Sequence, residues 1–199
     1  MKDPVLVGVL AIQGDYDAHR VVMEQLGAKV ILVRKPEELE GLDGLVIPGG
    51  ESSTFLNFLR RQDFLGKLRS FVAHKPTFGT CAGAILLAKR VENPAQESLG
   101  ALDVSIRRNA YGRQLDSSIE TADTKIPGGP LEMVFIRAPR FLEVGKNVQV
   151  LALRGDDPVL LRQGHLMAAT FHPELSSDTR VHAEFLKVVR EHRAAKQTK

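Results

Sequence analysis

The sequence predicts an α/β fold with a mostly parallel sheet, helices on both faces and some antiparallel strands. Three observations carry this. Val5 to Ile12 is a continuous Val/Leu/Ile-rich run, typical of a strand buried on both sides. Strand-like and helix-like stretches then alternate as far as Ala88, which implies parallel strands joined by crossover helices. Beyond Pro94 the texture changes to short strands punctuated by turn signals such as Pro127-Gly128-Gly129-Pro130, where antiparallel pairing is expected.

Taken in order, Asp15 can cap a helix carrying Val22 and Leu26, and Gly27 closes it. Lys29 to Val33 and Leu42 to Ile47 are the next strands, the latter ended by Pro48-Gly49-Gly50. Ser52 and Ser53 offer N-cap oxygens to a helix with Phe55, Leu56 and Leu59 on its apolar side. A helix over Phe64 to Ala73 precedes a short strand, Pro76 to Gly79, and Ala82 to Ala88 is again helical. Leu102 to Ile106, Gln114 to Thr121, Met133 to Ile136, Val148 to Leu153, Val159 to Arg162 and Met167 to Phe171 are strand candidates. Thr179 to His192 closes the chain as a helix with Val181, Phe185, Val188 and Val189 on one face.

Residues 1–199 carry no repeat or linker and are expected to form one domain, large enough to bury a two-sided core without a disulfide or metal staple. The net charge of +3 owes much to the segment from Arg190 to Lys199, expected to be a frayed basic tail. With 6% aromatic residues and no basic stripe, a nucleic-acid surface is not expected. The single cysteine excludes an internal disulfide and a Cys-rich zinc site, and fits a reducing compartment. No apolar stretch reaches the roughly 18 residues of a membrane span, so a cytoplasmic location is expected.

Three constellations carry chemistry. Gly79-Thr80-Cys81-Ala82-Gly83 lies at a strand-to-helix junction, where small flanking residues permit the sharp turn of a nucleophile elbow. The helix start behind it favours a thiolate and presents N–H groups to developing negative charge. The pentapeptide by itself suits a structural Cys in a tight turn equally well. Phe171-His172-Pro173-Glu174 follows a buried strand, and a turn at Pro173 can fold the carboxylate back onto the imidazole to fix its tautomer. Taken alone it also reads as a loop histidine beside a solvated glutamate. Among the other histidines, His182 and His192 fit a helix surface, and His19 suits a face turned to a partner. The third constellation is Pro48-Gly49-Gly50-Glu51-Ser52, whose paired glycines let backbone N–H groups approach an oxyanion and whose Glu51 suits a substrate ammonium. A Gly-rich turn into a capped helix is its plain alternative. All three end strands of one inferred parallel sheet, the edge where such sheets place ligands, and together they supply nucleophile, base, orienter and oxyanion cradle for acyl transfer.

At these residues the chain resembles the class I, triad-type glutamine amidotransferases. Within them it resembles the glutaminase-subunit family of pyridoxal 5′-phosphate synthase. The carrying segments are GVLAIQGD (8–15), PGGESST (48–54), FGTCAG (78–83), RRNAYGRQLDS (107–117), VFIRAP (134–139) and FHPELSSD (171–178). The resemblance implies a three-layer flavodoxin-like glutamine amidotransferase domain that hydrolyses L-glutamine to L-glutamate and ammonia without cofactor or metal. It implies Cys81 as nucleophile, His172 as base and Glu174 as orienter. Gly50, Glu51, Ser52, Arg108, Ile136 and Arg137 would bind glutamine. Gln13 and Gly49 would belong to the oxyanion hole and its activation. The implied partner is a (β/α)₈-barrel synthase subunit in a large hetero-oligomer. From the residues alone, Arg108 and Arg137 read as surface ion-pair partners, and Asn109 and Arg113 as structural supports. A glutaminase of another pathway, a cysteine peptidase or chaperone of related fold, and a non-catalytic binding module are the competing readings.

Overall fold

The computed structural model describes residues 4–108, 110 and 117–197, with the backbone alone at residue 62. In chain order the elements are β1 (Leu6–Leu10), α1 (Tyr16–Gln25), β2 (Lys29–Val33), β3 (Gly44–Ile47), α2 (Ser52–Leu59) and α3 (Phe64–His74). These are followed by β4 (Thr77–Thr80), α4 (Ala82–Leu87), β5 (Ala88–Glu92), β6 (Leu102–Arg107), β7 (Ser118–Ala122) and β8 (Leu131–Phe135). The last are β9 (Arg140–Val144), β10 (Gln149–Arg154), β11 (Asp157–Gln163), β12 (Leu166–Ala169) and α5 (Arg180–Gln197).

The main sheet has the order β10-β11-β12-β4-β3-β1-β2. From β12 to β2 the pairing is parallel, while β10, β11 and β12 form an antiparallel meander at one side. Strand alternation feeds two cores. Val5, Val7 and Val9 join Met23 of α1 and Phe185 of α5 on one face, with Phe135 of the β7–β8 hairpin. Leu10, Leu45 and Ile47 face the other way, against α2, α3 and α4 through Phe55, Leu68 and Leu86. The registers Val46↔Phe78 and Phe78↔Met167 align three side chains of the first core across neighbouring strands. Burial of each such large apolar side chain is worth roughly 1.5–3 kcal/mol, which is why both strand faces are apolar. The result is the three-layer α/β arrangement expected.

The topology also fixes where a ligand belongs. From β1 the chain crosses through α1 to β2, then returns to β3 on the opposite side of β1 and leaves through α2 and α3. The order reverses at β1/β3, so the loops after these strands splay apart and open a crevice at their carboxyl ends.

Several expectations need correction. The helix expected through Ala88 stops at Leu87, and Ala88–Glu92 is a strand parallel to β6; Arg140–Val144 adds a third, antiparallel strand. Each buries few side chains, chiefly Ala88 and Val91 in one and Phe141 in the other, so neither shows strong alternation. Residues 190–197 are not a frayed tail. Helix α5 continues to Gln197, with Arg190 donating to the Leu26 carbonyl and Arg193 to the Pro4 carbonyl and the Asp43 carboxylate. Basic composition suggested solvent, but these cations satisfy carbonyls and a carboxylate from distant parts of the chain. The Gln114–Asp116 part of one expected strand, with Asn109 and Arg113, lies outside the described residues.

Candidate active site

Strands β3, β4 and β12 lie side by side, and each delivers one constellation to the same edge. The Cys81 N–H donates to the Ala169 carbonyl at 2.8 Å, locking the end of β4 to β12. The backbone then turns sharply, placing Cys81 at φ 48°, ψ −104°, a region that costs a side-chain-bearing residue about 1–3 kcal/mol. The flanking glycines are steric necessities. A Cβ on Gly79 would lie 2.5 Å from the Gly83 backbone, and one on Gly83 would lie 2.0 Å from the Ile47 carbonyl oxygen.

His172 is fixed by its N–H, which donates to the Val134 carbonyl of β8 at 2.8 Å. A 3₁₀ turn over Pro173–Leu175 folds the chain back, bringing Glu174 Oε1 within 2.8 Å of His172 Nδ1. Both residues are buried. Burial alone would protonate Glu174, but the His19 imidazole beside it and the hydrogen bond from His172 outweigh that and hold its carboxyl far below the ordinary range. Burial likewise disfavours the imidazolium of His172, yet hydrogen bonds with Cys81 and Glu174 raise its pKa well above the usual value. The site thus favours a charged imidazole sandwiched between two acidic groups.

A cleft of about 240 Å³ opens over these residues. Gly49, Gly50, Glu51 and Ser52 contribute a wall of it, and Cys81, His172, Arg108, Ile136 and Arg137 are among the other lining residues. Its volume lies below the roughly 300–1,000 Å³ of drug-sized pockets, which suits an amino acid. Gly49 is pressed so close that a Cβ there would fall 2.6 Å from His172 Cε1 and 3.4 Å from Cys81 Cβ. Arg137 adopts φ 44°, a strained conformation at the cleft rim. Gln13 stands beside this wall, its Nε2 donating to the Glu51 carbonyl.

Two placements differ from the sequence reading. Glu51, rather than Ser52 or Ser53, caps α2: its carboxylate accepts from Ser53 N at 3.0 Å, Thr54 N at 2.7 Å and Thr54 Oγ1 at 2.8 Å. Arg108 reaches the same carboxylate at 3.2 Å and Ser53 Oγ at 3.1 Å. Burial opposes ionisation of Glu51, but the donors of the first turn prevail and bring its pKa down to about 2. The second difference concerns histidines. His19 and His182 are fully buried, not surface or partner-facing, and His192 is half-buried. His19 Nδ1 lies 2.9 Å from His182 Nε2, and His19 Nε2 lies 3.2 Å from Thr80 Oγ1 and 3.3 Å from Glu174 Oε2. A signal existed: His182 shares the helical spacing of buried Phe185, Leu186 and Val189, and His19 that of Val22 and Met23.

Among the described residues no cluster of three His, Cys, Asp or Glu could hold a metal ion, and no helix is long and apolar enough to cross a membrane.

The sheet order is that expected of a class I glutamine amidotransferase, and similar proteins give the same class. A crystal structure described as a glutamine amidotransferase superposes with a TM-score of 0.86 at 45% identity, covering 92% of this chain and 98% of that one. A putative GMP synthase protein from Thermoplasma acidophilum shares the fold at a TM-score of 0.72 and 17% identity, over 99% of this chain and 100% of that one. The pyridoxal 5′-phosphate synthase subunit PdxT of Koribacter versatilis is 65% identical over 184 residues, covering 92% of this chain and 95% of that protein. The corresponding PdxT of Thermosipho africanus is 50% identical over 185 residues, covering 92% and 98%. Residues 9–191 match the model of the SNO glutamine amidotransferase family, and the chain belongs to that family. It is an enzyme of that type, as the motif resemblance implied.

Proposed function

We propose that this chain is the glutaminase subunit of a pyridoxal 5′-phosphate synthase. One domain over residues 1–199, cytoplasmic, would hydrolyse L-glutamine and pass the ammonia to a (β/α)₈-barrel synthase subunit within a large hetero-oligomer. The observation that carries the reading is the strained Cys81 beside a His172–Glu174 pair at 2.8 Å, under a glycine wall that admits no side chain.

The Cys81 thiolate attacks the side-chain carboxamide carbon of glutamine. The C=O π electrons move to oxygen, where the Ala82 N–H at the start of α4 and the Gly49-Gly50 backbone are suited to stabilise the oxyanion. Collapse of the tetrahedral intermediate breaks the C–N bond as His172 gives its proton to the departing ammonia. Water, deprotonated by His172, then attacks the γ-glutamyl thioester and expels Cys81 as the thiolate, which restores the thiolate–imidazolium pair and releases glutamate, its carboxyl proton passing to solvent. Glu174 holds the His172 ring with Nδ1–H toward itself throughout. Arg108 and Arg137 offer positive charge for the substrate's α-carboxylate. The Glu51 carboxylate, occupied as a helix cap, is better suited to orient Arg108 than to meet the ammonium alone.

The test is glutamate release from glutamine with and without the synthase partner, followed by product formation by the Cys81→Ala complex. The variant complex is expected to be inactive with glutamine and active with an ammonium salt. Failure with ammonium, in an assembled complex whose synthase works, overturns the ammonia-donor role.

A further inference from the structure

Two buried imidazoles have no part in the chemistry above, yet they continue its hydrogen-bond chain away from the cleft. We propose that His19 is a positioning residue for the Glu174–His172 pair, locked in its tautomer by His182. This rests on the glutaminase reading.

Glu174 has one oxygen on His172 Nδ1. Its other oxygen, Oε2, is buried and has no well-aligned hydrogen bond, with His19 Nε2 its neighbour at 3.3 Å. A buried carboxylate oxygen facing no donor is costly, so the edge of His19 that faces it must carry the N–H. The same nitrogen hydrogen-bonds Thr80 Oγ1, immediately before the nucleophile, at 3.2 Å, so its N–H is tied to the nucleophile's strand while its positive edge stands 3.3 Å from the base's orienter. The other end of the chain agrees. His182 Nδ1 is buried with no hydrogen-bond partner; a lone pair is tolerated there better than an N–H. His182 therefore carries its proton on Nε2 and donates to His19 Nδ1 at 2.9 Å, leaving His19 protonated on Nε2. Each histidine then has its N–H on the side nearer Glu174, His182 toward His19 and His19 toward Thr80 and Glu174. Helices α1 and α5 supply one each, so the packing of two helices on the sheet sets the rotation of a carboxylate that in turn sets His172.

The experiment compares wild type, His19→Leu, His19→Gln and His182→Leu as full chains with the synthase partner. Three readouts are taken: glutaminase kcat and KM, the alkylation rate of Cys81 by a glutamine-mimicking electrophile, and the downfield proton NMR signal of His172 Nδ1–H. His19→Leu should lower kcat roughly 10- to 100-fold with KM within about twofold, the loss typical of groups that orient an active residue from behind. It should also slow alkylation and shift or broaden the His172 signal. His19→Gln keeps a donor near Nε2 and should recover most of kcat, while His182→Leu should fall between. Wild-type kcat and an unmoved His172 signal in His19→Leu overturn the proposal. If His19→Leu does not fold, the same result in His182→Leu overturns it, as does a His19→Gln no more active than His182→Leu. An inactive wild-type complex would instead strike the glutaminase reading, and this proposal with it.

Discussion

Cys81 has a positive-φ backbone while its N–H is tied to β12, so the proposed nucleophile is held by the sheet and not by its own side chain. Cys81→Ala should therefore abolish glutamine hydrolysis while leaving the thermal midpoint almost unchanged. His172→Asn should be nearly as damaging, on the order of 10⁴-fold or more in kcat, and Glu174→Gln less so, because members of a triad such as the one proposed act as one unit with unequal shares. Steady-state assays of the three variants check the order, and equal losses would contradict it. Gly49→Ala is the steric counterpart. Its methyl would lie 2.6 Å from His172 Cε1, so the imidazole must shift, and a displacement near 1 Å can cost about 10²-fold in rate. Activity should fall by that order while circular dichroism stays native.

At the scale of elements, the first turn of α2 joins stability to substrate binding. Glu51 satisfies two backbone N–H groups that the helix itself cannot, and its carboxylate also holds Arg108 over the cleft. Glu51→Ala should cost about 0.5–2 kcal/mol in urea unfolding and raise the KM for glutamine as Arg108 loses its anchor. A change in neither would separate the cap from the site. The neighbouring loops interlock more tightly still. A Cβ at Gly14, where φ is +75°, would sit 2.0 Å from the Gly49 carbonyl oxygen. That carbonyl faces the Gln13-Gly14 loop, so within the same planar peptide the Gly50 N–H points the opposite way. We propose that a synthase subunit docking near Gln13 biases this peptide between two orientations, a population shift in one oxyanion donor worth about 10²–10³ in rate. The synthase should thus raise kcat more than it lowers KM, and Gln13→Ala should blunt that activation while glutamine still binds. Full kcat in the isolated chain, unchanged by saturating synthase, would rule the device out.

Across the whole molecule, the buried histidines give stability a pH dependence of defined sign. Burial, with His19 beside it, pushes the His182 pKa down to about 3, whereas an unfolded histidine titrates near 6.5. Between those values the unfolded chain binds the extra proton, so stability falls as pH drops through the window, by about 2 kcal/mol at pH 5 from this residue. His192, also lowered by burial, acts in the same direction, and Glu174 adds a loss below the ordinary carboxylate pKa. His172 works on the alkaline side: its raised pKa stabilises the fold below about 6.5 and that contribution fades as pH climbs. Urea midpoints at pH 7 and pH 5 should differ clearly in wild type. His182→Leu should flatten the acid limb, and an unchanged slope would contradict the assignment.

The sequence by itself determined the strand–helix alternation and the three motifs at strand ends. It also determined the small residues around Cys81 and the turn that returns Glu174 to His172. Each of these is local: apolar periodicity, glycine sterics and a two-residue spacing act over a few positions, so they are written in adjacent letters. Only tertiary structure decided that β5 and β9 pair with β6, because such strands gain their partners from pairing across the chain and bury few side chains of their own. It also decided that Arg190 and Arg193 pin a helix instead of ending a tail, and that Glu51 caps α2 with Arg108 on its carboxylate. The His19–His182 pair is the extreme case. Its members lie 163 residues apart, and helical spacing could mark each as inward-facing but could not say what it would meet. A polar group's partner is set by how α1 and α5 pack on one sheet, and that packing is a property of the assembled layers rather than of any local stretch of sequence.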